Sequence, residues 1–258
     1  MDTGQPTAAR VYDYLLGGVH NFEVDREFAR QAIELMPDVA VQARANRAFL
    51  HRAVRFLVGA GVRQFLDLGS GIPTVGNVHE IAQRADPLAR VVYVDMDPVA
   101  VAHSRQILAN VPHTAVVQED LRRTDRILAD PELHKVLDLG EPVAVLAVAV
   151  FHAIGDEDDP AGVAARLRDA LARGSYLAVA HGTDEGRPEE SRRLAELSRR
   201  TPTPITLRSR ARVAALFDGY DLVEPGLTWA PLWRPDSPHQ VPEHPEYSGN
   251  LVGVGCKP

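Results

Sequence analysis

Three aspartates stand at the ends of three consecutive apolar segments, and a glycine turn follows the first of them. Asp67 precedes Gly69 by two residues in the segment FLDLGSGIPT. Asp95 ends the segment VVYVD, and Asp120 ends VVQED. Segments of this kind predict parallel strands, and open α/β sheets bind ligands beyond the carboxyl ends of such strands. We therefore expect the three carboxylates and the glycine turn to line one ligand site.

Each of these groups indicates one part of a ligand. Gly71, the second glycine of the turn, lets the backbone approach a ligand closely. A carboxylate at Asp67 would repel a pyrophosphate, but it suits a cationic amino group. Asp95 can accept hydrogen bonds from both hydroxyls of a ribose, and Asp120 can accept one from an adenine amino group while Leu121 packs on the ring. The pattern indicates an adenosine-like ligand with an ammonium group and no phosphates, a description that S-adenosylmethionine fits.

A nicotinamide-dependent oxidoreductase is a weaker interpretation of the same turn. The dinucleotide-binding fingerprint G-x-G-x-x-G has a third glycine, which allows close packing of the helix on the strand. Thr74 stands at that position, and the carboxylate of Asp67 disfavours a pyrophosphate. The tetrapeptide LDLG recurs at residues 137–140, but there it leads through Pro142 into a strand. We interpret this second copy as a turn that binds no ligand.

The composition excludes several classes of protein. The 258 residues carry a formal charge of −7, so the chain as a whole does not attract nucleic acid or an anionic membrane. Cys256 is the single cysteine, which excludes an intrachain disulfide. Residues 1–10 lack the charged start and apolar run of a signal peptide. We expect a cytoplasmic protein whose partner is a small molecule, with no nucleic-acid or membrane partner; the sequence indicates no oligomeric state.

Apolar runs and helical patterns alternate along the chain from residue 62. This alternation predicts right-handed βαβ units and a parallel sheet between two layers of helices. Strands are predicted at residues 62–69, 89–95, 114–120, 142–151, 175–182, 221–226 and 251–257. Helices are predicted before Pro37, at 38–59, after the glycine turn as far as Asp86, from Asp97, and at 162–172, 189–200 and 210–217.

The segment between the last two predicted strands is rich in proline. Pro225, Pro231, Pro235, Pro238, Pro242 and Pro245 are too many for a regular element, so we predict an ordered surface loop. Trp229 and Trp233 in this loop either line a ligand pocket or anchor the loop to the core, and the sequence favours neither alternative.

The arrangement resembles the class I S-adenosylmethionine-dependent methyltransferases. Residues 62–256 match the order of elements in that fold, which implies a doubly wound, mostly parallel seven-strand α/β sheet with an antiparallel last strand. The segment YDYLLGGVHNFEVDRE, with FLDLGSGIPT and VVYVDMDP, resembles more narrowly a bacterial family of S-adenosyl methyltransferases of unknown substrate. Its N-terminal motif YxxLLGGxxNFxxDR is matched here by Tyr12, Leu15, Leu16, Gly17, Gly18, Asn21, Phe22, Asp25 and Arg26.

This resemblance implies how S-adenosylmethionine and its product S-adenosylhomocysteine are bound. Asp67 would meet the methionine amino group through water, and Met96 and Leu121 would flank the adenine. The other cofactor-binding residues that it implies are Gly69, Ser70, Gly71, Asp95, Asp97 and Asp120. We therefore expect a methyltransferase that acts on a small-molecule acceptor. The alternative is a non-catalytic protein that binds S-adenosylmethionine or S-adenosylhomocysteine and reports on it to a partner.

The N-terminal motif is polar and conformationally demanding, which is unusual for a chain terminus. We expect residues 1–60 to form a helical extension that closes the cofactor site of an α/β domain at residues 61–258, all within one structural unit. In this interpretation Tyr14 and Asn21 lie near the methionine end of the cofactor. The alternative is a structural helix cap in which Asp25 and Arg26 form a solvated pair.

Two histidines at strand ends are candidates for a general base, which is needed only if the acceptor loses a proton. His152 follows the fourth predicted strand and His181 ends the fifth, and we expect both to face the acceptor. We favour His152, because residues after the fourth strand border the transferred methyl group in the fold that the chain resembles. The acidic run at residues 155–160 lacks the glycine and distal glutamate of a calcium loop, so we expect no metal site.

Overall fold

A mixed sheet lies at the centre of the molecule. The computed structural model describes residues 4–73 and 76–258, and within these residues the sheet has eight strands. The strands are β1 Gln64–Leu68, β2 Arg90–Asp95, β3 Thr114–Gln118, β4 Val143–Val148, β5 Tyr176–Gly182, β6 Asp221–Leu222, β7 Thr228–Trp229 and β8 Asn250–Cys256. Their spatial order is β3-β2-β1-β4-β5-β8-β6, and β7 also pairs with β8.

The first five strands run parallel, and β8 runs antiparallel to β5, β6 and β7. The predicted doubly wound, mostly parallel sheet with an antiparallel last strand is therefore confirmed. All seven predicted strands are present. Because β1 lies between β2 and β4, the direction in which strands are added reverses at β1. Such a reversal opens a crevice at the carboxyl ends of the strands, where α/β proteins bind ligands.

Helices cover both faces of the sheet. They are α1 Ala8–Leu15, α2 Glu23–Leu35, α3 Val39–Gly59, α4 Val78–Ala85, α5 Pro98–Leu108, α6 Thr124–Leu128, α7 Pro131–His134, α8 Pro160–Ala170, α9 Pro188–Ser198 and α10 Arg210–Ala214. One core layer includes α3, α4 and α5, and the other includes α6, α7 and α8. In the described part of the chain, no helix is long and apolar enough to cross a membrane.

Alternate residues of each central strand pack into opposite layers. On β1, Phe65 packs with the layer of α3, whereas Leu66 packs with the layer of α8. On β2, Tyr93 packs with the layer of α3 and Val92 with the layer of α8. Because successive side chains of a strand point to opposite faces, a sheet covered on both sides needs apolar residues at every position. This requirement explains the uninterrupted apolar runs from which the strands are predicted.

The first helix, α1, is an addition to the helix predicted before Pro37, which corresponds to α2. A helix of eight residues has little stability by itself. α1 forms because Val11 and Leu15, one turn apart, pack in a cluster with Phe28 of α2. The short helices α6 and α7 were not predicted either, and they too depend on buried side chains of the second core layer, Ile127 and Leu133.

The proline-rich segment between β6 and β8 is anchored to the core by Trp233. The indole is fully buried, and its centroid lies 5.3 Å from that of Phe49 in an edge-on arrangement. The Trp233 carbonyl also accepts a hydrogen bond of 2.8 Å from Arg52 Nε. The anchoring alternative is therefore confirmed for Trp233. The prediction of no regular element was wrong at Thr228–Trp229, which pair with β8 through their backbone. It was also wrong at three short 3₁₀ helices, Ala230–Leu232, Pro238–Gln240 and Pro245–Ser248.

Candidate functional site

A cavity of about 700 Å³ lies at the carboxyl ends of the parallel strands. Its walls come from the glycine turn, from the loops after β2, β3 and β4, from α1, α2, α3 and α9, and from residues 201–207. Among the residues predicted from the sequence, those that line it are Asp67, Gly69, Ser70, Gly71, Asp95, Met96, Asp97, Asp120, Leu121 and His152.

The glycine turn is closely packed against the loop after β4. Gly69 has a φ of +61°, and a Cβ added there would lie 2.2 Å from Val150 Cγ2, so no larger residue fits. Gly71 has a φ of +63° but has room, because an added Cβ would lie 3.8 Å from Ala9. The Ser70 N–H donates to the Val94 carbonyl at 3.1 Å. The two glycines therefore give the turn its shape and leave its backbone facing the cavity.

Asp95 holds the glycine turn and the loop after β2 together. Its Oδ2 accepts a hydrogen bond of 2.7 Å from the Gly71 N–H, and its Oδ1 accepts one of 2.8 Å from the Asp97 N–H. Burial raises the pKa of Asp95. Asp97 caps α5 by accepting from the Val99 N–H at 2.8 Å, and it also accepts from Thr7 Oγ1 at 2.8 Å. A carboxylate has about four acceptor sites, so Asp95 retains capacity for ligand hydroxyls.

The part of the cavity that the sequence predicts for adenine contains two apolar side chains and the carboxylate of Asp120, which already accepts hydrogen bonds. Met96 is 44% exposed and Leu121 is buried, and both line the cavity. Arg122 donates to both oxygens of Asp120, with Nε 3.1 Å from Oδ1 and Nη2 2.6 Å from Oδ2. Burial by itself would raise the pKa of Asp120, but the hydrogen bonds from Arg122 hold it below its usual value. An adenine amino group would share this carboxylate with Arg122.

Asp67 is a buried carboxylate, and no hydrogen bond from the described residues holds its ionised form. Burial raises its pKa to about 7; the positive charge of Arg47 opposes the shift, and the negative charge of Asp95 adds to it. Asp67 lines the cavity next to the glycine turn. A cationic group bound there would add to the positive charge of Arg47 and favour the carboxylate form.

Replacing Asp67 with asparagine is expected to change the pH dependence of stability. Between about pH 4 and pH 7, Asp67 is protonated in the folded chain but ionised in the unfolded chain, so it makes the free energy of unfolding fall as pH rises. In Asp67→Asn this contribution disappears. Urea titrations should show the free energy of unfolding of the variant, relative to the unchanged chain, rising by about 1 kcal/mol per pH unit across this window.

The control for this measurement is Asp221→Asn, because Asp221 is exposed on β6 at the edge of the sheet and outside the cavity lining. Its stability curve should run parallel to that of the unchanged chain. Parallel curves for Asp67→Asn as well would show that the pKa of Asp67 is not raised.

Sequence reasoning missed the polar face of α3. Gln42, Asn46 and Arg47 line the cavity; Gln42 and Asn46 lie one turn apart on the same side of the helix, and Arg47 is the next residue after Asn46. Arg47 Nε and Asn46 Oδ1 are buried without a hydrogen-bond partner in the described chain. A signal was present in the sequence, because these polar residues interrupt the side of a helix that otherwise carries core residues such as Leu50.

The two candidate bases lie in different environments. His152 lines the cavity, where burial, with a smaller contribution from Arg208, lowers its pKa to about 4. His152 Nδ1 is buried without a hydrogen-bond partner among the described residues. His181 does not line the cavity, so the expectation that it faces the acceptor was wrong. Its Nε2 accepts a hydrogen bond of 2.9 Å from Arg208, because its side chain points to the layer of Leu177 and Val179.

Tyr14 and Asn21 also lie outside the cavity lining, which corrects their expected place near the methionine end. Tyr14 packs against the cluster of Val11 and Phe28, and Asn21 Nδ2 donates to Asp13 Oδ2 at 2.8 Å. Tyr12 lines the cavity instead. The physical reason is helical geometry, because residues two apart on α1 point to different sides.

Asp25 of the N-terminal motif is fully buried, so the expected solvated pair with Arg26 was wrong, whereas the helix cap of the same alternative is present at the start of α2. Its carboxylate pairs with Arg10 Nε at 3.1 Å, and both side chains are 0% exposed. It also accepts hydrogen bonds from the Thr7 N–H at 3.1 Å and the Phe22 N–H at 2.8 Å. Asp25 therefore joins the segment before α1 to the first turn of α2.

The hairpin of α1 and α2 borders the cavity at the glycine turn. Thr7 Oγ1 donates to Asp97, and Ala9 is the residue that a Cβ added at Gly71 would meet, at 3.8 Å. Thr7, Tyr12 and Leu15 all line the cavity. The N-terminal segment thus forms one wall of the cavity that contains the predicted cofactor residues.

Comparison with known proteins agrees with this geometry. The sequence matches the model of the S-adenosyl methyltransferase family over residues 1–258. It is similar to a DUF574 family protein from Streptomyces avermitilis MA-4680, with 41% identity and a TM-score of 0.96 over 100% of this chain and 99% of that chain. It is also similar to a candidate methyltransferase from Thermobifida fusca YX, with 42% identity and a TM-score of 0.93 over 98% and 95% of the two chains.

A more distant structure shares the fold. An O-methyltransferase family protein from Burkholderia thailandensis is 14% identical, with a TM-score of 0.56 over 89% of this chain and 59% of that chain. A search of the curated proteins gave no match. The family match extends over the whole chain, and two solved structures above 40% identity cover nearly all of it; the chain therefore belongs to the S-adenosyl methyltransferase family.

Proposed function

We propose that this protein is an S-adenosylmethionine-dependent methyltransferase that acts on a small-molecule acceptor. The observation that carries the proposal is the continuity of one cavity. The same space is lined by the carboxylates and glycines at the strand ends and by uncharged residues of α2 and α9. A methyltransferase needs adjacent sites for the methyl donor and the acceptor, and a single cavity of about 700 Å³ has room for both.

The chain's own residues fit the parts of the cofactor. Among the described residues Asp67 accepts no hydrogen bond and Arg47 Nε has no acceptor, so Asp67 would bind the ammonium and Arg47 the carboxylate of the methionine end. Asp95 would accept the ribose hydroxyls, and Met96 and Leu121 would enclose the adenine. When bound, S-adenosylmethionine supplies an electrophilic methyl group. The backbone of Gly69 and Gly71 allows the close approach that this fit requires.

Methyl transfer from a sulfonium is an in-line displacement, so orientation and exclusion of water supply much of the rate. The wall of α1 and α2 would exclude water. His152 is neutral at physiological pH and would accept the proton of the acceptor, although a pKa of about 4 makes it a weak base.

A His152→Ala variant is expected to lose turnover with the true acceptor while it still binds the cofactor.

The low pKa of His152 favours one alternative, a non-catalytic protein that binds S-adenosylmethionine or S-adenosylhomocysteine. The part of the cavity lined by α2 and α9 argues against it, because a protein that binds the cofactor alone needs no further cavity volume.

The experiment that tests the proposal is calorimetric titration of the purified chain with S-adenosylmethionine, S-adenosylhomocysteine and NADH. We expect micromolar binding of the first two and none of NADH. Binding of NADH alone, or of none of the three, would refute the assignment of the strand-end residues to this cofactor.

A further inference from the structure

Three buried polar atoms of residues that line the cavity have no hydrogen-bond partner among the described residues. They are Asn46 Oδ1 and Arg47 Nε, on α3, and His152 Nδ1, after β4. Buried polar groups in folded proteins are almost always paired, so an unpaired one in a cavity indicates a ligand atom that completes it. In the proposed function Arg47 binds the methionine carboxylate, whereas Asn46, whose side chain is 2% exposed, has no role.

Tyr12 of α1 determines which end of the Asn46 amide is left without a partner. The Tyr12 hydroxyl oxygen accepts a hydrogen bond of 3.0 Å from Asn46 Nδ2, and the hydroxyl donates to the Ala43 carbonyl at 3.1 Å. Burial raises the pKa of Tyr12, so the hydroxyl keeps the proton that it donates. Reversing the amide would bring its oxygen against the hydroxyl oxygen, unless the hydroxyl gave up the Ala43 carbonyl. The amide nitrogen therefore stays at Tyr12, and the amide oxygen is left for a ligand.

The surroundings of Asn46 indicate which ligand group completes its oxygen. The positive charge of Arg47, the next residue, acts on the carboxylate of Asp67, so these side chains belong to the same part of the cavity. Together the three residues offer one charged donor and two acceptors that the described chain leaves without hydrogen bonds. An α-amino acid has the complementary groups, because its ammonium carries three N–H donors and its carboxylate accepts from a guanidinium.

The other donors of S-adenosylmethionine have different partners in the cavity. The two ribose hydroxyls fit Asp95, and the adenine amino group fits Asp120, which lies with Met96 and Leu121. The ammonium has more N–H groups than the single carboxylate of Asp67 accepts in an ordinary geometry, so it has one to spare for a neutral oxygen.

We propose that Asn46 Oδ1 accepts a hydrogen bond from the α-ammonium group of S-adenosylmethionine, and that Tyr12 is the positioning residue that holds the amide for this contact. The inference rests on the proposed function. Asp67 and Asn46 then share the N–H groups of the ammonium, and Arg47 binds the carboxylate beside it. Tyr12 is the first residue of the N-terminal motif, so the motif contributes to cofactor binding through Asn46 of α3.

The test compares three ligands by calorimetric titration. The first is S-adenosylhomocysteine, and the second is its deamino analogue, which keeps the carboxylate but has a hydrogen in place of the ammonium. The third is 5′-methylthioadenosine, which lacks both groups. The unchanged chain should bind S-adenosylhomocysteine about 100-fold or more tightly than the deamino analogue, because both Asp67 and Asn46 lose their donor.

Variants then assign the effect to Asn46. Asn46→Leu should weaken binding of S-adenosylhomocysteine by about 10- to 100-fold, as expected for one hydrogen bond to a charged group. Its affinities for the other two ligands should stay within about twofold, because neither carries an ammonium. Tyr12→Phe should weaken S-adenosylhomocysteine alone, by about 3- to 10-fold, because the amide oxygen remains but is no longer oriented. Asn110→Leu, the same change at an exposed site outside the cavity lining, should alter none of the affinities.

Several results would overturn this assignment. An Asn46→Leu variant that loses affinity for all three ligands equally would show that Asn46 only supports the fold, and unchanged affinity for S-adenosylhomocysteine would show that the ammonium is bound without it. If Asn46→Leu does not fold, equal binding of S-adenosylhomocysteine and its deamino analogue by the unchanged chain, or unchanged binding by Tyr12→Phe, would contradict the proposal. An unchanged chain that binds none of the ligands contradicts the proposed function itself.

Discussion

Replacing Asp95 with alanine is expected to weaken binding of S-adenosylmethionine by about 100-fold or more. The carboxylate would hold two ribose hydroxyls, and hydrogen bonds to a charged group are worth about 1.5–3 kcal/mol each. The change also frees the N–H groups of Gly71 and Asp97, which Asp95 now holds at 2.7 and 2.8 Å, so the glycine turn loses its tie to β2. Calorimetric titration with S-adenosylmethionine measures the effect.

Two further variants separate the causes. Asp95→Asn keeps a carbonyl acceptor but loses the charge, and an intermediate loss of affinity is expected. Asp221→Ala, at the exposed edge strand β6, should bind like the unchanged chain. An Asp95→Ala variant that is folded and keeps its affinity would show that the ribose is bound elsewhere.

Replacing Asp25 with alanine is expected to cost about 3–5 kcal/mol in the free energy of unfolding, because it leaves the buried guanidinium of Arg10 without its partner. Asp25 and Arg10 are both 0% exposed. The N–H groups of Thr7 and Phe22 also lose their acceptor. Urea unfolding measures the loss, and hydrogen exchange shows whether α1 and α2 open locally before the sheet unfolds.

The double variant Arg10→Met with Asp25→Leu is the informative control. Replacing both charges with apolar side chains should recover the part of the loss that comes from the unpaired guanidinium, whereas the N–H groups of Thr7 and Phe22 still lack their acceptor. Glu23→Ala removes only exposed ion pairs with Arg26 and Arg30 and should have little effect. Equal losses in the single and double variants would contradict the ion-pair explanation.

The Asp25→Ala variant also tests our proposal that the hairpin of α1 and α2 closes the cofactor site. Thr7 contacts both Asp25 and Asp97, so loosening the hairpin should also weaken cofactor binding. A locally opened hairpin with unchanged affinity for S-adenosylmethionine would contradict that role. We restrict the proposal to α1 and α2 and leave α3 out of the closing segment, because Phe49 and Leu57 of α3 belong to the core layer of α3, α4 and α5.

The sequence alone determined the sheet and the part of the site that follows directly from it. Central strands of a sheet covered on both faces must be apolar throughout, so the runs around Phe65 and Val92 identify them without tertiary information. The glycines at 69 and 71 and the aspartates at 67 and 95 follow those strands at once along the chain. Parallel pairing then brings them to one edge, as the cavity lining has them.

Only the tertiary structure decided what surrounds that edge. Whether Tyr12 or Tyr14 faces the cavity depends on how α1 packs on α2. His181 was wrongly expected to face the acceptor, because successive side chains of a strand point to opposite faces of the sheet. Arg47 and the inward side of α9 reach the cavity from distant parts of the chain. Such contacts arise from the packing of whole elements, which depends on burial summed over many residues. A polar interruption such as the one on α3 is visible in the sequence, but it does not show which surface the helix faces.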